Sequence, residues 1–497
     1  MSKGMRLRGT SADAVLLTII KLVTASLSFV VTRLLSQYLP VRDYGTYSQA
    51  LLIISTVSSV TILGMVDGVN FFYCREPDVD KRESYVATLF ALQCVIGGVA
   101  GTVIILLRQV ICDGFNNPDV GNLLLFAAIM PMLQNLLGMI QVLMVAVGKA
   151  RMLAMRNLVI SLIKLAMVIV VVSLVRNVAV ILATSLALEL GQLLLFGWFL
   201  RTNQCAIRPS KIRFRLTGQI LKYCIPMAVF ITLNSLNRDC DKYLISLWTD
   251  PQTLAVYSNA SKPLPFDLLI ASFTTVLIPK MTRLISGKEY ERAASLYRAF
   301  LELACVSTGI LCCAALASAP QMMELLYSKK YVSGLGIFMV YVLVDLVRFT
   351  NITMILSVAG KTKKLMLVAA GALVGNMLLN VALYQLMGVI GPAVATLVVT
   401  LVTGVLILFF GAKELHVGLG KFFDWKYLIL FMAESLVVTL LLYQAQAWLT
   451  HLGVHYFVTL LAVAGCYGAV MFLLHGKRLL NTMKIINRIS KEKDSDA

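Results

Sequence analysis

Charge is scarce in this sequence. Asp, Glu, Lys and Arg make up 14% of its 497 residues, where a soluble domain carries about 25%. A mean hydropathy of +0.83 confirms that an ordinary water-facing surface is missing. Acid is scarcer than base, 25 residues against 44. Histidine occurs only as His416, His451, His455 and His475, so no imidazole base or histidine metal cluster lies in the earlier part of the chain. The ten cysteines are scattered, with Cys312 and Cys313 adjacent and no CxxC pair, which argues against a disulfide framework or a zinc site. No phosphate-binding glycine loop, HExxH or GxSxG is present, so nothing marks an enzyme. Connections between apolar runs are too short, about twenty residues at most outside, to fold as domains of their own. Whatever this chain does, it does within its apolar part.

That part is extensive. A helix needs about 20 mainly apolar residues to cross the hydrocarbon core. Runs of that length fall at 11–36, 44–66, 83–107, 120–146, 152–175, 177–200, 217–247, 253–277, 293–317, 331–358, 363–386, 389–411, 426–446 and 453–475, predicting an all-α polytopic membrane protein with fourteen transmembrane helices. A barrel strand would alternate apolar and polar residues, whereas LLLFAAIM and LAMVIVVVSLV are apolar throughout. The first run reads as a span, not a cleaved signal peptide. With the N-terminus inside, inner loops and tails hold 31 of the 44 basic residues and outer connections seven. This positive-inside bias places both termini in the cytoplasm and accounts for the net charge of +19 without nucleic acid as a partner.

The stretch TRLLSQYLPVRDYGTYSQA, Thr32 to Ala50, is echoed 210 residues later by KYLISLWTDPQTLAVYSNA, Lys242 to Ala260. Leu34, Ser36, Tyr47, Ser48 and Ala50 fall on Leu244, Ser246, Tyr257, Ser258 and Ala260. VGKARML at Val147 and AGKTKKL at Ala359 echo each other at an offset of 212. The same step carries spans one to six onto spans seven to twelve. The reading is a duplication into two six-helix pseudo-symmetric lobes related by an axis along the membrane normal, enclosing a central path. Residues 1–200 form the first lobe, 201–411 the second, and 412–497 two extra helices with a basic tail.

Several charges sit where charge is expensive. Lys21 shares a helical face with Thr18, Ser28 and Thr32; Lys164 continues a face with Asn157 and Ser161; Glu189 lies with Ser185 and Gln192. Asn234, Arg238 and Asp241 line another face, Lys262 and Asp267 flank Pro263 and Pro265, and Asp345 stands three before Arg348. A charge at the bilayer centre costs about 2.5–3.5 kcal/mol, so such residues face a cavity or pair with one another. Pairing is the plainer alternative for Lys164 with Glu189 and for Asp345 with Arg348. Arg33 has the alternative of snorkelling to the interface.

FVVTRLLSQYLPVRDYGTYSQALLI, LGMVDGVNFFYCRE and DKYLISLWTDPQTLAVYSNASKP resemble signatures of the polysaccharide-export branch of the MOP superfamily, with Ala255 where glycine is usual. The resemblance implies a Wzx-like flippase carrying undecaprenyl-pyrophosphate-linked oligosaccharide repeat units outward across a bacterial inner membrane, for O-antigen, capsule or exopolysaccharide. It implies as partners that lipid-linked substrate, the membrane, a polysaccharide polymerase and a chain-length regulator. A multidrug exporter of the same superfamily is the alternative, and a membrane glycan polymerase is disfavoured by the lack of a large outer loop. A cavity richer in base than acid suits a pyrophosphate, so Lys21, Arg33, Lys164, Lys262 and Arg348 are the expected substrate residues. No cofactor is expected beyond a coupling H+ or Na+, with Glu189 the leading candidate to bind it, Asp345 second, and Asp241 and Asp267 after them.

Overall fold

In the computed structural model the described residues are 10–202 and 207–491, and among them every regular element is helical. Apolar runs without water can satisfy their backbone groups only internally, and the helix does so residue by residue. The helices are α1 Thr10–Tyr38, α2 Val41–Thr61, α3 Met65–Arg75, α4 Val79–Leu106, α5 Arg108–Gly114, α6 Val120–Ala146, α7 Ala150–Leu174, α8 Val178–Thr202 and α9 Thr217–Trp248. Then come α10 Pro251–Ala260, α11 Asp267–Ser286, α12 Tyr290–Ala317, α13 Ala319–Tyr327, α14 Leu335–Val347 and α15 Met354–Val358. The last four are α16 Thr362–Met387, α17 Gly391–Glu414, α18 Trp425–His451 and α19 Tyr456–Lys491.

The helical membrane class holds, and the expected count of fourteen spans is not confirmed. Among the described residues twelve runs are long and apolar enough to cross a membrane, and one of them, the 53-residue run Thr362–Glu414, contains both α16 and α17. The span expected at 253–277 is not one helix. Non-helical residues 261–266 separate α10 from α11 around Pro263 and Pro265, because each proline lacks an N–H and clashes with the preceding turn. The second span also departs from a straight helix. It runs on to Arg75 as α2 and α3, joined at Leu63 and Gly64, both with positive φ. Gly64 is required there twice over: its φ is +66°, and a Cβ would lie 2.6 Å from the Cys224 carbonyl oxygen on α9.

The chain divides into two compact units, Met1–Val256 and Tyr257–Ala497. In the first, α6 is the central helix: α2, α3, α4 and α8 all lie against it, and α1 runs along α7. Its packed interior includes Met65, Leu89, Met139 and Leu143, with Cys224 of α9. Thus α9, which opens the second repeat in sequence, packs within the first unit. In the second unit α12 is the central helix, in contact with α11, α14, α18 and α19, and α16 lies along α17. Its interior centres on Phe300, Tyr297, Phe422 and Phe431. Side chains such as Leu174, Leu194, Leu386 and Leu473 stand outward, as lipid-facing positions require.

The echo noticed in the sequence has a structural counterpart. A proline lies at the start of both α2 and α10 (Pro40 before Val41, and Pro251), and positions 41–50 agree in degree of burial with positions 251–260 everywhere but at Thr46 and Val256. Ser36 and Ser246, Tyr47 and Tyr257, and Ala50 and Ala260 are all buried.

Candidate functional site

The first unit holds a polar cluster on α6, α7 and α8. Gln134 follows Pro131 on α6, and its Nε2 donates to Glu189 Oε1 on α8 at 3.0 Å. The other carboxylate oxygen, Glu189 Oε2, is buried with no hydrogen-bond partner among the described residues. One turn on, Gln192 accepts a hydrogen bond from Arg156 of α7, whose guanidinium stacks 4.3 Å from the Phe196 ring centroid and also reaches Asn157 at 3.0 Å. Lys164 is near enough to act on Glu189 electrostatically, yet it makes no ion pair with it. The simple neutralising pair is therefore not formed. Lys164 and Lys21, on the packed helices α7 and α1, both have exposed side chains. The Thr18 side chain lies outside the described residues.

The polar face of α9 is arranged differently from expectation. Arg238 approaches Asp239 at 3.8 Å and donates to Ser235 at 3.2 Å, while Lys242 pairs with Asp239 at 2.8 Å. Asp241 is 1% exposed and accepts the Lys242 N–H at 2.9 Å. Ser246, an echo residue, accepts from Gln49 Nε2 at 3.1 Å, and Gln49 in turn accepts from Asn117 at 2.7 Å. A second network joins α2 to α6: Asn135 donates to Ser58 O and Thr61 Oγ1, both at 3.0 Å, and accepts from Ser58 Oγ at 2.6 Å. Arg33 is half-buried near the end of α1.

In the second unit Asp345, 2% exposed, forms the pair with Arg348 that was the plainer alternative, Oδ1 to Nη1 at 3.0 Å. Its Oδ2 accepts the backbone N–H of Leu264 at 2.9 Å. The carboxylate therefore caps the proline-induced break between α10 and α11, satisfying a donor that the helix cannot. Lys262 is half-buried in that break; Asp267 begins α11, and its side chain lies outside the described residues. Tyr257 meets Tyr341 edge-on at 6.2 Å.

Sequence reasoning missed Gln134, Arg156 and Asp239, and it counted Arg478 only as a basic tail residue. Arg478 joins α19 to Glu302 of α12 and to Asp424 at the start of α18. Glu434 Oε2 lies 2.9 Å from Nε2 of the buried His475, whose Nδ1 is 3.1 Å from Tyr427 Oη. The signal for Asp239 was present as the acid–base pair Asp239 and Lys242 at a three-residue step. The others join different helices, which spacing within one segment does not pair.

A family model described as polysaccharide biosynthesis protein matches residues 30–334. No curated protein sequence matches the chain. Among solved structures, the lipid II flippase MurJ in an inward-closed conformation is 14% identical, with a TM-score of 0.72 over 94% of this chain and 100% of that one. An inward-facing MATE-family multidrug resistance transporter of the MOP superfamily is 12% identical, TM-score 0.65, over 80% and 98%. A MOP-superfamily transporter from Pyrococcus furiosus is 12% identical, TM-score 0.61, over 81% and 95%. These likenesses establish the fold.

Proposed function

The chain belongs to the family of polysaccharide biosynthesis proteins, and from that premise we propose that it is a flippase moving undecaprenyl-pyrophosphate-linked oligosaccharide repeat units across a bacterial inner membrane. The observation that carries the reading is the pair of exposed lysines, Lys21 and Lys164, on packed neighbouring membrane helices with no acid in ion-pair contact among the described residues. Two cations without a direct ion pair at membrane depth are costly against lipid and favourable beside a doubly charged phosphate. An exporter of organic cations would gain nothing from them. Arg33, Lys262 and Arg348 complete the basic set. The 1–200 and 201–411 repeats, with 412–497 appended, are the halves that alternate access; the matching burial of α2 and α10 supports the duplication.

Outward transport of charge about −2 down an inside-negative potential gains roughly 2.3 kcal/mol per charge per 100 mV, on the order of 4–5 kcal/mol in all. Glu189 is the proposed site of H+ or Na+ coupling, because one of its oxygens is held and the other lacks a partner. Asp345 ranks second, since its carboxylate already serves Arg348 and Leu264; Asp241 and Asp267 follow. Both termini lie in the cytoplasm, and the polymerase and chain-length regulator are the partners downstream. Deleting the gene tests the whole reading. Undecaprenyl-linked oligosaccharide should accumulate on the cytoplasmic face, with its sugars identifying the substrate; unchanged lipid-linked intermediates would contradict it.

A further inference from the structure

A cavity of about 540 Å³ opens in the first unit where α3 ends, α4 begins and the early turns of α9 close the side. This size is within the range that holds small ligands. Its walls are aromatic: Phe71 stacks on Tyr223 at 4.1 Å and Phe72 on Tyr85 at 4.5 Å. Tyr85 Oη donates to Gln219 Oε1 at 2.8 Å, which fixes that amide with its NH2 group still able to donate. Two cations line the cavity, Arg75 and Lys222, and neither has an acid within ion-pair distance among the described residues. Arg75 lies 5.2 Å from the Phe71 ring centroid, so its planar group is held by a ring and its N–H donors remain available. One carboxylate, Glu76, also lines the cavity.

Cations without partners normally project into water. Here two of them share a preformed, ring-walled cavity with an amide and an acid. Cations for a phosphate, rings for the apolar face of a sugar, and an acceptor for hydroxyls make one combination. The basic residues Lys81 and Arg82 in the first turn of α4 and Lys211 and Arg213 ahead of α9 belong to the same end of the unit, since Lys211 pairs with Asp80 at 2.6 Å and Arg213 N–H donates to Thr88 at 3.0 Å. By the positive-inside rule that end faces the cytoplasm.

We propose that this cavity is a docking site for the phosphate-bearing sugar headgroup of the lipid-linked substrate, which binds here at the cytoplasmic face before entering the path marked by Lys21 and Lys164. The proposal rests on the flippase reading and is tested apart from it. The full chain in phosphatidylcholine nanodiscs is titrated with radiolabelled inorganic pyrophosphate, in the wild type and on a Lys21→Gln/Lys164→Gln background. On either background, Arg75→Gln with Lys222→Gln should weaken binding about tenfold or more, and Arg75→Lys with Lys222→Arg should restore most of it. Unchanged affinity in the Gln pair overturns the site. A site that holds phospholipid headgroups instead is also distinguishable: pyrophosphate binding to the wild type then disappears when phosphatidylglycerol replaces phosphatidylcholine, which overturns the assignment to substrate. If Lys21 and Lys164 prove irrelevant to transport, binding that depends on Arg75 and Lys222 is still expected to stand.

Discussion

Replacing Arg478 with Gln should loosen the last two helices, and the structure gives the scale of the effect. The guanidinium holds Glu302 with two bonds, Nε to Oε1 at 2.7 Å and Nη2 to Oε2 at 3.2 Å, and reaches Asp424 at 2.8 Å. It also lies 3.5 Å from the Tyr427 centroid. Without it, Glu302, whose side chain is only 17% exposed, keeps one described side-chain donor, Thr482 Oγ1 at 3.2 Å. Breaking a fully buried pair costs about 3–5 kcal/mol. Arg478 is 37% exposed, and solvent screening reduces the expected loss to about 2 kcal/mol. The assay is thermal unfolding of the purified chain in detergent as a function of pH. Asp424, outside the spans, is held below the usual carboxylate range chiefly by its hydrogen bond from Arg478. A depressed carboxylate contributes stability that is present above its unfolded pKa of about 3.9 and is lost as pH falls through the folded value. The gap between wild type and Arg478→Gln should therefore be steady from about pH 5 to 8 and shrink below about pH 4. Equal melting at neutral pH, or a gap that widens in acid, refutes the reasoning.

Gly64→Ala should destabilise the first unit by about 1–3 kcal/mol, from the left-handed backbone and the collision with the Cys224 carbonyl, read as a lower melting temperature. Asp345→Ala should cost about 3 kcal/mol, since it removes the carboxylate that both Arg348 and the Leu264 N–H meet; melting like the wild type would show that the break is held by other contacts. Glu189→Gln keeps a polar group beside Gln134 while removing the ionisable one. Flipping in proteoliposomes should persist and lose its dependence on an imposed H+ or Na+ gradient, and a variant that retains this dependence assigns Glu189 a structural role.

The helical class, most of the spans and the Asp345–Arg348 pair were legible because they are local: period, run length and a three-residue step are all properties of one segment. The echo is also local, and its paired residues Ser36 and Ser246, and Tyr47 and Tyr257, are all buried. The eighth span was not legible, because a window of apolar residues does not register two prolines two apart as a complete break. Nor was the partner of Glu189. Depth along adjacent helices matched it with Lys164, but depth does not specify rotation about the helix axis, and it is Gln134 of a third helix that faces the acid. Arg156 lies in the first turns of α7, and its partner Gln192 is on α8, so no spacing within one segment pairs them. Arg478 and Glu302 are 176 positions apart in sequence, so no local pattern pairs them.

The central claim is that Lys21 and Lys164 carry the pyrophosphate of a lipid-linked glycan across the membrane. Proteoliposomes loaded with a fluorescent lipid-linked oligosaccharide, with a membrane potential imposed, measure it directly as the rate at which the glycan reaches the opposite leaflet. The account predicts that Lys21→Gln with Lys164→Gln reduces that rate by at least tenfold while leaving the melting temperature unchanged, and that Lys21→Arg with Lys164→Arg retains most of it. Wild-type rates in the double Gln variant, in protein that is folded and inserted, would contradict the account.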